Sequence, residues 1–174
     1  MLERFYPDVY VDSAYDIEYE ALYDKGYRGI IFDVDNTLVP HGAPADERSI
    51  ALFDRLRGIG YESMLLSNNK EPRVKSFNDK VKTRYIYKAN KPFPESYRKA
   101  MELMKTTPET TIFVGDQLFT DVWGAKKAGI KSYLVKPIHP KEEIQIVLKR
   151  ILERIVLYFY KRRQEDKCRE KRYD

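Results

Sequence analysis

Short apolar runs alternate with longer helical patterns along the first 140 residues. Runs at 29–32, 63–67, 85–87, 111–114 and 132–135 are apolar at nearly every position, which predicts buried strands. Between them, helical patterns cover 46–59, 70–81, 94–106 and 119–128, with turn signals such as Gly58-Ile-Gly60 and Gly129. Strands that alternate with helices imply right-handed crossovers and a parallel sheet covered on both faces. The predicted body is therefore one α/β sandwich over 1–140, without an internal repeat or flexible linker. The tyrosines of the opening stretch, Tyr6, Tyr10, Tyr15, Tyr19 and Tyr23, are expected to pack onto that sheet rather than to sit at an interface.

Beyond residue 140 the pattern changes. Ile144, Val147, Leu148, Ile151, Ile155, Tyr158 and Phe159 recur at three-and-four spacing among Lys149, Arg150, Arg154, Lys161, Arg162 and Arg163, which predicts a basic amphipathic helix and tail over 141–174. The chain carries a net charge of +5, and its distribution matters more than its size. Residues 141–174 hold eleven Lys or Arg against seven Asp or Glu, whereas the first 140 hold twenty-one against twenty. Three readings of the segment stay open: an apolar stripe packed on the body or a partner, a helix lying on an anionic membrane, or a contact with nucleic acid.

At 174 residues, 43% hydrophobic and 34% charged, the composition is that of a globular domain able to bury a core. The lone cysteine, Cys168, cannot close an internal disulfide, so a reducing cytoplasmic setting is expected. With His41 and His139 as the only histidines, a zinc site is not expected. No signal-peptide run opens the sequence. The longest apolar stretch, 155–160, is far short of the roughly 20 residues that cross a bilayer. Any membrane contact is expected to be peripheral, on the inner face.

The strand ends carry the chemistry. Ile30-Ile-Phe-Asp33-Val-Asp35-Asn-Thr37-Leu places two carboxylates directly after a buried strand, a costly arrangement unless a cation or a reaction uses them. A bare Asp-x-Asp is more often an Asx-type turn. The second and fourth strands run into Ser67-Asn-Asn69 and Gly115-Asp-Gln117, and Lys91 follows the third. Any one of Ser67, Lys91 or Asp116 alone is more often a surface residue. Together they gather on the carboxyl edge of a parallel sheet, where open α/β folds bind ligands.

The full pattern, an apolar run followed by Asp-x-Asp-x-Thr-Leu, resembles the first motif of the haloacid dehalogenase superfamily. Ser67, Lys91 with Pro92, and Val114-Gly-Asp116-Gln-Leu-Phe-Thr-Asp121 resemble its second, third and fourth motifs, in order. The resemblance implies a HAD-like Rossmannoid three-layer sandwich and a Mg²⁺-dependent phosphatase working through an aspartyl-phosphate. Asp33 would be the nucleophile, and Asp35 the acid that protonates the leaving oxygen and then the base for water. Asp33, the Asp35 carbonyl and Asp116 would hold Mg²⁺. Ser67 and Lys91 would bind phosphoryl oxygens, with Asp121 orienting the metal's water shell or Lys91. Asn36 and Asn68 could add donors, Asn68 to the substrate, although turn capping explains both equally well.

Superfamily members often carry a cap domain after the first motif or between the second and third. Here 34 residues separate Asp33 from Ser67 and 24 separate Ser67 from Lys91, which leaves room for one crossover helix and its strand each time. An uncapped site suits a phosphate displayed on something bulky. The segments Tyr6-Pro-Asp-Val-Tyr10-Val-Asp12-Ser-Ala-Tyr15-Asp16, Gly29 to Pro40 and Ser67-Asn-Asn-Lys-Glu71 resemble the YqeG-type phosphatases, related to the mitochondrial phosphatidylglycerophosphate phosphatase. That resemblance covers about 1–140 and implies a lipid phosphomonoester as substrate. The alternatives are a protein or nucleic-acid phosphatase, or a non-catalytic nucleic-acid- or partner-binding module on the same fold.

Overall fold

A computed structural model of the chain describes residues 2–139 and 144–170, and the side chains of 2–139 and 150–166. One sheet contains β1 (Val9–Val11), β2 (Gly29–Phe32), β3 (Glu62–Leu66), β4 (Arg84–Ile86), β5 (Thr111–Gly115) and β6 (Lys131–Val135). The helices are α1 (Tyr19–Asp24), α2 (Glu47–Ile59), α3 (Glu71–Val81), α4 (Glu95–Met104), α5 (Trp123–Lys127) and α6 (Ile144–Glu170). The strand order is β1-β6-β5-β2-β3-β4, and every pairing is parallel. The chain winds from β2 through β3 to β4 and then back through β5 to the other side. The reversal of strand order falls beside β2, where such sheets bind ligands.

The centrality of β2 follows from its sequence. All four residues are buried, and their side chains alternate between faces. Ile30 and Phe32 enter a core with Phe53, Leu56, Val74 and Phe77 from α2 and α3. Ile31 enters the opposite core with Met64, Tyr97, Met101 and Phe113. A strand covered on both faces cannot place a polar side chain on either, so the first polar positions arise where it ends, at Asp33 and Asp35. Single helices, α2 and α3, fill the two intervals in which a cap could have been inserted.

The predicted strands and the first three predicted helices match to within about two residues at each end. Asp46 caps α2: its Oδ1 accepts from the Ser49 amide at 2.8 Å, and the Ser49 hydroxyl accepts from the Asp46 amide at 3.0 Å. The fourth helical segment differs. Its first half, Leu118–Val122, is a π-helical turn leading into α5. Strand β1 and helix α1 have no counterpart among the sequence-derived elements. The three residues of β1 are only half-buried and lie at the sheet edge, so they lack the apolar run that marks the others. The early tyrosines do pack on the body. Tyr19 is fully buried, and its hydroxyl donates to the Ala14 carbonyl at 2.7 Å.

Helix α6 docks on a face that its apolar periodicity does not indicate. Val156 and Leu157 pack with Leu118, Val122 and Leu134, and Tyr160 meets Tyr6 edge-on with centroids 5.5 Å apart. Arg150 and Glu153 lie on the same inner side and make ion pairs and hydrogen bonds to the body. Of the stripe read from the sequence, Ile151, Ile155, Tyr158 and Phe159 are 45–60% exposed, with Leu152 beside them. The Ile144, Val147 and Leu148 side chains lie outside the described residues, as does the junction expected at 140/141. Among the described residues no helix is long and apolar enough to cross a membrane.

Candidate active site

Three adjacent strands bring the predicted residues to one edge. The Asp33 amide donates to the Val114 carbonyl at 2.9 Å, which extends the β2–β5 pairing one residue and fixes the start of the Asp33 loop. Asp116 follows β5, and Ser67 follows β3. Lys91 arrives from the loop after β4, with its backbone held by Asn68. The Lys91 amide donates to Asn68 Oδ1 at 2.7 Å, and Asn68 Nδ2 donates to the Lys91 carbonyl at 3.2 Å. The Asn68 side-chain amide therefore positions Lys91. Lys91 Nζ donates to Asp33 Oδ1 at 2.5 Å and to Asp121 Oδ1 at 2.8 Å.

The π-helical turn explains how Asp121 reaches this cluster. Its wide loop lets the Gln117 carbonyl accept from both the Asp121 and Val122 amides, and Asp121 Oδ2 turns back to accept from the Gln117 amide at 3.0 Å. Asp121 lies so close to the end of β5 that a Cβ at Gly115 would stand 2.5 Å from its Oδ2. Only glycine permits that approach. The Thr37 hydroxyl lies 3.2 Å from Asp116 Oδ1 and 3.5 Å from Asp33 Oδ2, and so links two carboxylates from different strands.

Asp33, Asp116 and Asp121 each offer an oxygen, all within 4.8 Å of one another. Burial pushes the Asp33 carboxyl up to about 7, against the pull of the Lys91 ammonium and with added repulsion from Asp121. Burial also raises Asp116, despite Arg150 beside it. For Lys91, burial works against the charge, but Asp121 and Asp33 overcome it and hold the ammonium above the ordinary lysine range. The buried carboxylates Asp33, Asp116, Asp121 and Glu153 share one buried cation, Lys91, and one partly buried cation, Arg150, among the described residues. The excess of acidic over basic groups and an all-oxygen donor set fit a hard divalent cation such as Mg²⁺.

This surplus has a consequence for the metal-free protein. The folded chain holds a proton on Asp33 up to about pH 7, whereas the unfolded chain releases it near the ordinary aspartate value of about 3.9. The native state thus binds more protons in that window, and stability falls as pH rises from about 4 to 7. In EDTA, Asp33→Asn should melt higher than wild type at pH 8, by roughly 1–3 kcal/mol, with the advantage shrinking as pH falls toward about 4. Parallel thermal melts across that range would expose the reverse trend or its absence.

The structure separates Asp35 from this cluster's hydrogen bonds. Its Oδ1 accepts from the Gly42 amide at 2.7 Å and from Arg73 Nη2 at 2.9 Å, and its Oδ2 accepts from Asn69 Nδ2 at 2.7 Å. Asn36, with φ of 62°, turns the chain directly after it, a conformation asparagine tolerates. Ser67 is buried, and its hydroxyl accepts from the Asn69 amide at 3.1 Å. The sequence pattern alone does not mark Thr37, Arg73, Asn69, Arg150 and Glu153 as site residues. Of these, Thr37 stands inside the first motif. The others reach the site only through tertiary contacts.

Residues 88–143 match the family described as HAD-hydrolase-like. The chain is 36% identical over 165 residues to the "Probable phosphatase YqeG" of Bacillus subtilis (strain 168), covering 94% of this chain and 96% of that one. It is 29% identical over 167 residues to "Phosphatidylglycerophosphate phosphatase 1, chloroplastic/mitochondrial" of Arabidopsis thaliana, covering 90% of this chain and 47% of that protein. The crystal structure of a hydrolase from Streptococcus pneumoniae TIGR4 superposes with a TM-score of 0.51 over 74% of this chain and 99% of that chain, at 15% identity. That last likeness is one of fold.

Proposed function

Because the chain belongs to the YqeG-type phosphatases of the haloacid dehalogenase superfamily, we propose that it hydrolyses a lipid phosphomonoester, phosphatidylglycerophosphate, through a phosphorylated Asp33. The observation that carries the chemistry is Asp33 itself: a buried carboxylate at the end of the central strand, held by Lys91 inside a cluster with surplus negative charge. In the first step an oxygen of Asp33 attacks phosphorus, the bond to the leaving alcohol breaks, and its electron pair goes to the alcohol oxygen. Asp35 delivers the proton to that oxygen, exchanging one of its present partners for it. In the second step Asp35 takes a proton from water, the water oxygen attacks phosphorus, and Asp33 leaves as a carboxylate with inorganic phosphate released. Lys91, held by Asp121 and by Asn68, keeps Asp33 oriented and offers its remaining donor to a phosphoryl oxygen. Mg²⁺ held by Asp33, Asp116 and the Asp35 carbonyl would neutralise charge on the phosphoryl group.

Three features support a lipid substrate. The intervals after the first and second motifs hold single helices, so neither interval carries a cap. The plant relative carries the phosphatidylglycerophosphate phosphatase name. Helix α6 presents Ile151, Leu152, Ile155, Tyr158 and Phe159 outward beside exposed Arg154, Arg162 and Arg163, the composition of a helix that lies on an anionic bilayer. Phosphate release would be compared for phosphatidylglycerophosphate in anionic vesicles, an aryl phosphate, a phosphopeptide and a 5′-phosphorylated oligonucleotide, in Mg²⁺ and in EDTA. The lipid should lead in kcat/KM by at least about tenfold, and EDTA should abolish turnover. A lead for peptide or oligonucleotide would assign the site to those substrates instead.

Truncating α6 would not isolate the membrane contribution, because the helix also carries Arg150 and Glu153 to the site. The outward face can be changed alone. The double substitution Ile155→Glu with Phe159→Glu should reduce vesicle co-sedimentation and lipid hydrolysis by at least about tenfold, while leaving aryl phosphate hydrolysis within about twofold. Undiminished vesicle binding by that variant would remove α6 as the docking surface.

A further inference from the structure

Arg150 reaches a carboxylate assigned above to the metal. From α6 its Nη1 donates to the Asp116 carbonyl at 2.6 Å, and its Nη2 pairs with Asp116 Oδ2. The other carboxylate oxygen, Oδ1, is in contact with the Thr37 hydroxyl. Both oxygens of Asp116 are therefore engaged by protein groups, and one of them faces the positive charge of Arg150. A divalent ion taking Asp116 as ligand meets that guanidinium at close range, where little solvent screens it.

Arg150 has a second carboxylate within reach. Its Nη1 donates to Glu153 Oε2 at 2.8 Å, while Glu153 Oε1 is fixed by the Leu118 amide at 2.7 Å. Glu153 is 4% exposed and has only this arginine as a cationic partner among the described residues. A cleft of about 530 Å³ adjoins all three groups: Asp116, Arg150 and Glu153 line it together with Leu134, Pro137 and Leu157. Among the described residues the guanidinium thus stands between two acidic partners, beside the cleft.

We propose that Arg150 is a resident counter-cation of the metal site, which neutralises Asp116 and releases it to a divalent ion by giving up its Asp116 contacts while keeping its pairing with Glu153. The proposal rests on the reading of Asp116 as a metal ligand. Arg150 is then a positioning residue that sets how readily the site loads, and α6 is the element that delivers it. Glu153 is the acidic partner that it keeps as it withdraws.

The test is Mg²⁺ binding to the full chain without substrate, followed by titration calorimetry at fixed pH and ionic strength. Arg150→Gln should tighten Mg²⁺ binding by about tenfold. Glu153→Gln should weaken it several-fold, because the arginine then remains on Asp116. In the double variant the Glu153 effect should vanish, since Glu153 acts only through Arg150. An unchanged or weaker Kd in Arg150→Gln overturns the proposal, and so does a Glu153 effect that persists in the double variant, which would mean through-space charge alone. Circular dichroism melts check folding. If Arg150→Gln does not fold, Arg150→Lys, with its single-pronged contact, should still tighten binding, and no tightening overturns the proposal. Asp116→Asn keeps the underlying reading separate. Loss of Mg²⁺ binding there, with no change in the Arg150 variants, defeats only the counter-cation. Wild-type binding untouched by Asp116→Asn defeats the metal assignment and this proposal with it.

Discussion

Asp33→Asn is expected to reduce phosphate release from every ester by at least about 10⁴-fold while the protein stays folded. Asparagine is nearly the same size and can still accept from Lys91, and Lys91 keeps its pairing with Asp121 at 2.8 Å. The Asp33 amide also keeps its hydrogen bond to Val114, so the loop does not lose its anchor. What disappears is the anionic oxygen that forms the acyl-phosphate bond. The stability change described above runs in the opposite direction to the activity change, since the variant removes a buried carboxyl that is costly to ionise. A protein that melts as high or higher at pH 8 in EDTA and yet does not turn over separates chemistry from folding. Acid-quenched wild-type protein should carry a phosphoryl group on the Asp33 peptide, and the variant should not. Retention of more than about 1% of wild-type activity by the folded variant would end the proposed mechanism.

The parts of this arrangement that could be read from the sequence share one physical property. Strand β2 is buried on both faces, so its sequence is a continuous apolar run and its end is marked by the first permitted charges, Asp33 and Asp35. The same holds for β3 before Ser67 and β5 before Asp116. What was not legible depends on contacts between distant segments. Arg73 lies 38 positions from Asp35, and on the sequence it is one of many charges on a solvated helix. Arg150 and Glu153 invert the usual logic of an amphipathic helix. Their ion pairs and hydrogen bonds orient α6 against the body, so Ile151, Ile155 and Phe159 turn outward. Hydrophobic periodicity shows that a helix has an apolar face, but not whether that face or a polar one meets the core. The π-helical turn escaped for a related reason: its departure from ordinary helix serves the placement of one side chain, Asp121, against Gly115.

The two aspartates of the first motif should separate in their dependence on the leaving group. Asp35→Asn is expected to slow hydrolysis of an alkyl phosphate by about 10²–10⁴-fold, the usual contribution of a positioned acid–base group. Its local structure should survive. Both the Gly42 amide and Arg73 donate to Oδ1, which an asparagine oxygen can replace, and only the Asn69 contact to Oδ2 faces an unsuitable amide nitrogen. The proposed metal contact at this position is the backbone carbonyl, so Mg²⁺ binding should persist within a few-fold. An aryl phosphate, whose alcohol leaves without protonation, should still phosphorylate Asp33 in the variant. Water attack on that phosphorylated carboxylate then lacks its base. The prediction is a rapid burst of aryl alcohol close to one equivalent per active site, followed by slow turnover, with phospho-Asp33 accumulating. Wild-type rates on the alkyl ester, or no burst on the aryl ester, would assign the proton transfer to another residue. His41, whose Nδ1 lies 3.8 Å from Asp35 Oδ1, is the histidine beside Asp35 that could take that role. His41→Gln in the Asp35→Asn background would then decide between them, because only a histidine acting as the acid would produce a further loss on the alkyl ester.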